Sequence, residues 1–220
     1  MNDIQKDFQN LLDISEDYFS GGFRREHSKE NSRQEELASL HAQIAACTQC
    51  RLHAARFNPV PGVGVFDPLV FIIGEGPGRE EDRTGHPFIG KAGQYLDKWL
   101  TAVNLDRTQH CFIGNIVKCR PPENRDPLPD EAEACIPYLK NQIRLIKPKV
   151  ILTLGRVASQ IITGKKSGIS SLRGTNYSYM DIPVVPTYHP SGVLRNPQYR
   201  SPVWDDLKRL RNIIDAGLPQ

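Results

Sequence analysis

Four short runs of apolar residues constrain this chain most: LVFII (69–73), CFIGNIV (111–117), VILTL (150–154) and IPVVPTY (182–188). Each is continuously apolar rather than alternating, the pattern of strands buried on both faces. Segments of helical periodicity separate them, namely KAGQYLDKWLTAV (91–103), PDEAEACIPYLKNQIRLI (129–146) and GRVASQIIT (155–163). A last helix is expected from Pro202, with Val203, Leu207, Leu210 and Ile214 on one face; an earlier stripe, Leu37, Leu40, His41 and Ile44, ends at Cys47. Strands alternating with helices predict an α/β fold with a parallel sheet and helices on both sides. Such sheets bind ligands at the carboxyl ends of their strands. That gathers GEGPGREED after the first strand, Asn115 in the second, GRVAS after the third and HPSG after the fourth.

Before this alternation lies a segment of different character. Residues 1–34 hold seven acidic and five basic side chains, against 18 acidic and 23 basic over 35–220. The expected organisation is therefore an acidic, polar extension (1–34) and a mildly basic domain (35–220), whose charge suits a polyanion such as nucleic acid. Ile4, Phe8, Leu11 and Leu12 have helical spacing and suit either a partner-docking helix or an unordered tail; residues 20–34 read as a linker. With 39% hydrophobic and 24% charged residues among 220, the chain can bury one core, which excludes a wholly disordered or collagen-like protein. No run approaches the roughly 18 apolar residues of a membrane helix. The opening residues carry acids where a secretory signal carries bases, so the expected location is cytoplasmic, without membrane association.

In a reducing compartment, five cysteines point to thiol chemistry or metal ligation rather than disulfides. Cys47 and Cys50 form a C-x₂-C pair, while fifteen residues separate Cys119 from Cys135. A zinc ribbon would show two tight pairs, and haem attachment would need His where Arg51 stands. Four thiolates on separate segments suit an iron–sulfur cluster, against the alternative of four unrelated buried cysteines. Cys111, in an apolar strand, reads as core. The loop Gly74-Glu75-Gly76-Pro77-Gly78 lacks the third glycine of a dinucleotide fingerprint and is no P-loop; it is either a ligand-facing loop or an ordinary strand-to-helix turn. His189, followed by turn residues, is either a site residue or structural. The histidines form no zinc-protease or zinc-deaminase signature, and Gly155–Ser159 lacks the spacing of a nucleophile elbow.

Four stretches in order, GEGPGREEDRTGHPFIGKAGQYLD (74–97), GNIVKCRPPENRDPLPDEAEAC (114–135), LTLGRVAS (152–159) and YHPSGVLRNP (188–197), together with the four cysteines, resemble the family 4 uracil-DNA glycosylases. The resemblance runs from about Glu35 to Leu210. It implies a three-layer α/β/α sandwich with a central four-stranded parallel sheet, and a 4Fe–4S cluster on Cys47, Cys50, Cys119 and Cys135. It also implies a monomeric hydrolase that flips uracil from single- or double-stranded DNA and cleaves its glycosidic bond. A non-catalytic iron–sulfur DNA-binding protein on the same scaffold is the alternative.

The resemblance also assigns roles. Phe88 stacks on uracil. Asn115 accepts from N3–H and donates to O4, a pattern that cytosine reverses at about 1–3 kcal/mol per unpaired group. Gly74, Glu75 and Gly76, with Glu81, crowd the pocket near C5, where thymine carries a methyl group. His189 donates to O2, Ser191 binds a flanking phosphate, and Val193, Leu194 and Arg195 fill the gap left by the flipped base. Catalysis falls to Glu75 and His189. The best-known members of the superfamily place an Asp where this chain has Gly76, which leaves Glu75 as the nearest carboxylate. No basic insertion interrupts CRPPENRDPLPDE, the place where a relative that traps uracil-DNA covalently carries one, so turnover is expected.

Overall fold

The structure, a computed structural model, describes residues 32–217. The expected helix on Ile4, Phe8, Leu11 and Leu12 lies outside them. The chain divides into two units between Ser39 and Leu40; of the first, residues 32–39 form the opening turns of helix α1 (32–46).

One six-stranded sheet organises the second unit: β1 (Val63–Gly64), β2 (Val70–Gly74), β3 (Cys111–Asn115), β4 (Val150–Leu154), β5 (Tyr177–Tyr179) and β6 (Ile182–Thr187), in the spatial order β1-β3-β2-β4-β6-β5. The four expected strands are its parallel centre, with Val70 beside both Cys111 and Val150, and Ile151 beside Val184. Every residue of β2, β3 and β4 is buried, which is why these strands read as unbroken apolar runs.

The sheet has two strands more than expected, both short, antiparallel edges. β1 has two exposed residues and carries no apolar signal. β5 joins β6 through Met180 and Asp181, both at positive φ (52° and 64°), with Tyr179 paired to Ile182. That is a two-residue hairpin made without glycine, so its usual sequence mark is missing.

Helices cover both faces. Val70, Ile72, Cys111, Ile113, Val150, Leu152 and Val185 pack in one cluster with Leu96, Trp99 and Leu100 of α3 (Lys91–Ala102), Val193 of α7 (Pro190–Arg195), and Val203, Leu207 and Leu210 of α8 (Arg200–Ala216). Phe71, Ile73 and Phe112 alternate to the opposite face. The long helix α4 (Pro129–Ile146) lies there, burying Leu139, Ile143 and Ile146. Gln142 ties it down by accepting from Lys118 Nζ (2.7 Å) and donating to Pro61 O (2.7 Å). Two further helices, α2 (Arg79–Thr84) and α5 (Arg156–Thr163), begin just after β2 and β4; α6 (Ile169–Leu172) precedes β5. No helix among the described residues is long and apolar enough to cross a membrane.

Phe112 is 1% exposed and packs edge-on against Phe71, ring centroids 5.1 Å apart. Phe112→Ala should cost about 3–5 kcal/mol, seen as a lower denaturant midpoint with an unchanged slope.

Candidate active site

Because the four central strands run parallel, Gly74, Asn115, Leu154 and Thr187 all end at one edge of the sheet. Pairing continues past the strands, Ile116 N–H donating to Gly74 O (2.9 Å) and Val117 N–H to Glu75 O (3.1 Å). Above these ends opens a cavity of about 460 Å³, room enough for a pyrimidine. Of the expected site residues, Glu75, Gly76, Glu81, Phe88, Asn115, His189, Ser191 and Arg195 line it. Gly74 is not among the lining residues but backs two that are: a Cβ there would stand 2.4 Å from Asn115 Oδ1 and 2.6 Å from the Phe88 ring.

Asn115 is 1% exposed, and its Oδ1 has no hydrogen-bond partner in the protein. A buried amide oxygen left unpaired costs about 1–3 kcal/mol, so this atom calls for a donor from a ligand. Phe88 forms the wall beside it, its ring centroid 5.7 Å from that of His189. The residue is held in a left-handed conformation (φ 53°) that a bulky side chain rarely adopts. Arg107 clamps it there, Nη1 donating to Phe88 O (3.0 Å) and Nη2 to Pro87 O (3.1 Å) while pairing with Asp97. Gly93 of α3 makes room for that backbone, since a Cβ would fall 1.8 Å from Phe88 O. Glu81 shapes the same loop, its Oε1 accepting from the N–H groups of Ile89 and Gly90 (3.2 Å each).

His189 caps α7. Its Nδ1 accepts from Ser191 N–H (3.2 Å) and lies 2.7 Å from Ser191 Oγ. An acceptor at Nδ1 leaves the proton of a neutral ring on Nε2. Burial, and secondarily Arg195, lowers the His189 pKa from 6.5 to about 4, so the ring is neutral at neutral pH. Gly155 (φ 90°) approaches within 3.0 Å of His189 Cβ at the position its own Cβ would take. Ser191, expected at a phosphate, thus has its hydroxyl engaged with His189. Val193, expected in contact with DNA, is instead fully buried in the core, because it lies on the inward face of α7; Leu194, 45% exposed, points out.

Two groups beyond those expected join the cavity wall. Asp126, from the loop between β3 and α4, lines the cavity with Glu75, and Arg156, at the start of α5, pairs with Asp126. Burial, then the Asp126 charge, raises the Glu75 pKa to about 7, opposed by Arg156. Arg156 stands in a segment that the strand pattern already brings to this edge; Asp126 and Arg107 carry no comparable signal.

Cys47, Cys50, Cys119 and Cys135 line a second, smaller cavity beside Lys118. Arg56 Nη1 donates to Cys119 Sγ (3.0 Å) and Lys118 N–H to Cys135 Sγ (3.4 Å), and Tyr138 lines the same cavity. Among the described residues no group of three or more His, Cys, Asp or Glu is placed to hold a single metal ion. Four thiols spread around one cavity, with donors already aimed at two of them, fit a multi-atom iron–sulfur cluster. Cys111 is a core residue whose thiol burial pushes up to about 12.

Followed by NMR against pH, the His189 ring should titrate near 4 rather than 6.5, staying neutral through the range where an exposed histidine gains its proton.

The model of a family described as the uracil DNA glycosylase superfamily matches residues 61–208. The Type-4 uracil-DNA glycosylase of Sulfurisphaera tokodaii is 41% identical over 186 residues, 80% of this chain and 84% of that protein. That of Thermotoga maritima is 41% identical over 187 residues, covering 83% and 97%, and that of Archaeoglobus fulgidus 40% over 193 residues, covering 84% and 96%. With its parallel sheet and the cavity at the strand ends, this chain belongs to the uracil DNA glycosylase superfamily.

Proposed function

We propose that the chain is a DNA-repair hydrolase that accepts a flipped uracil, cleaves its N-glycosidic bond and releases the free base. The observation that carries this reading is the unpartnered Asn115 Oδ1 at the end of β3, buried beside the face of Phe88. Uracil N3–H is the donor this oxygen lacks, and the amide N–H₂ then meets O4. Cytosine offers an acceptor at N3 and a donor at C4, so both contacts fail.

Cleavage leaves negative charge on uracil O2 and positive charge on the sugar. His189, neutral and protonated on Nε2, donates to O2 as the charge develops, a contribution of about 3–4 kcal/mol. Ser191 holds the tautomer that makes this possible. Glu75, once ionised, stabilises the cationic sugar or takes a proton from the attacking water. Arg195, on the cavity wall, and the exposed Leu194 before it fill the gap in the duplex and meet phosphate.

Cys47, Cys50, Cys119 and Cys135 hold a 4Fe–4S cluster in this reading. Cys47 from the segment after α1, Cys119 from the chain after β3 and Cys135 of α4 would be tied together through the cluster, which would supply no chemistry at the sugar.

Two measurements test these assignments. A labelled oligonucleotide with one uracil should lose it as free base. Single-turnover cleavage should fall about 10²-fold in both Glu75→Gln and His189→Ala with DNA binding kept, while Asn115→Ala should erode discrimination against cytosine as well as rate. Bound DNA without release of uracil would leave a binding protein only. In the second measurement, protein made with ample iron should carry about four irons per chain; changing any of the four cavity cysteines to Ala should lose iron, and Cys111→Ala should keep it. Stoichiometric zinc in the parent would overturn the cluster.

A further inference from the structure

Residues 189–198, which carry His189, Ser191, Leu194 and Arg195, form a loop closed at its base by two tyrosines. Tyr188 stands just before His189, and Tyr199 ends the single 3₁₀ turn Pro197–Tyr199. Their rings stack, with centroids 4.2 Å apart and planes 11° from parallel. Between them α7 has only six residues, too few to be stable alone. Pro190 and Val193 bury its inner side; its ends depend on what holds the tyrosines.

A buried network holds them. Arg173, just after α6, lies 5.0 Å from the centre of the Tyr188 ring, and the Tyr188 hydroxyl is 2.9 Å from Ser170 Oγ of α6. Arg173 forks onto Asp206 of α8, Nε donating to Oδ2 (2.5 Å) and Nη2 to Oδ1 (3.0 Å), and it also donates to the Pro202 carbonyl. Asp206, 3% exposed, accepts as well from the hydroxyl of Thr187 (2.6 Å), the last residue of β6. Desolvation takes back much of what a buried ion pair gains, and apolar packing would anchor a short helix as firmly. What the two-pronged pairing adds is direction. Residues 187 and 188 are both locked, and the next residue is His189.

We propose that the Tyr188–Tyr199 stack, oriented by Arg173 and Asp206, is a positioning device for His189: it closes the 189–198 loop at its base, so that the His189 ring keeps its place against Gly155 and beside Phe88 while Leu194 and Arg195 engage DNA. The proposal rests on the roles given above to His189, Leu194 and Arg195. Insertion of Leu194 into a duplex pushes on α7. The N–H groups of Gly192 and Val193 donate to His189 O (2.9 and 3.2 Å), so a tilt of this helix passes directly to His189. A displacement of about 1 Å at a group that must meet uracil O2 costs about 10²-fold in rate. Tyr188, Tyr199, Arg173 and Asp206 do not line the cavity, so they act through His189 and not on the base.

Removing the stack should slow the chemical step in DNA that is already bound. Single-turnover cleavage at saturating enzyme should fall about 10-fold or more in Tyr199→Ala; Tyr199→Phe, which keeps a ring, should restore the parent rate. NMR titration of His189 in free protein is the second readout. Water reaching a loosened ring raises its midpoint from about 4 toward the ordinary value in Tyr199→Ala, while Tyr199→Phe leaves it near 4. Tyr199→Leu, apolar but without a stacking face, takes the place of Tyr199→Ala if the denaturant midpoint shows that variant unfolded. A slower rate and a raised midpoint in the ringless variant, both restored in Tyr199→Phe, support the proposal. A parent value of either quantity in the ringless variant, or a Tyr199→Phe no better than it, overturns the proposal. Parent rates in His189→Ala overturn the role of His189 at O2 instead, and the His189 titration alone then decides whether the stack positions the ring.

Discussion

Backbone pairing that runs past the end of the sheet fixes everything else in the site. The register of β2 against β3 ends with Gly74 beside Asn115, and the next two N–H groups past β3 still donate to the carbonyls of Gly74 and Glu75. The Asn115 amide and the Glu75 carboxylate are thereby held side by side by main-chain bonds, which no side-chain rotation can undo. A slip of one residue would turn Asn115 to the other face of the sheet. Burial on both faces makes such a slip costly, because it would also move Phe112 to the face opposite Phe71 and break their ring contact.

The cavity exists because several positions lack a side chain. Gly74, Gly93 and Gly155 each occupy a place where one more carbon would collide with Asn115, Phe88 or His189. A glycine inside α3 costs about 1 kcal/mol relative to alanine, and a left-handed Phe88 a further 1–3 kcal/mol. Arg107, bonded to two carbonyls and to Asp97, offsets part of that by restraining the strained loop. Beneath, the buried ammonium of Lys118 bonds Asn115 O (2.9 Å) and Gln142 while its own N–H reaches Cys135. The cysteine cavity and the strand that carries Asn115 therefore share one residue, Lys118.

How much of this the sequence announces differs by element, for physical reasons. β2, β3 and β4 are covered on both faces and show it as unbroken apolar runs; β1 and β5, two and three residues long at the edges, need no apolar face. Pro190, Ser191 and Gly192 read as a turn but open a helix, since proline at the first helical position is preorganised for it. Asn115 and His189 stand at strand ends, where the α/β pattern already directs attention. Phe88 owes its place to Arg107, a partner nineteen residues away that bonds a carbonyl rather than a side chain. Asp126 joins Glu75 on the cavity wall only once the loop after β3 has folded back over the strand ends, a return that no periodicity encodes.

The neutrality of His189 bears on what happens after the bond has broken. A fully charged imidazolium would make a salt bridge with the departing uracil anion and slow its escape. A neutral Nε2–H gives its strongest hydrogen bond while charge is forming, and that bond weakens once the base takes up a proton. In the role proposed for it, the ring lets go of its product without first having to lose a proton of its own, so the same burial that silences its titration also keeps the pocket from being blocked by the base it has freed.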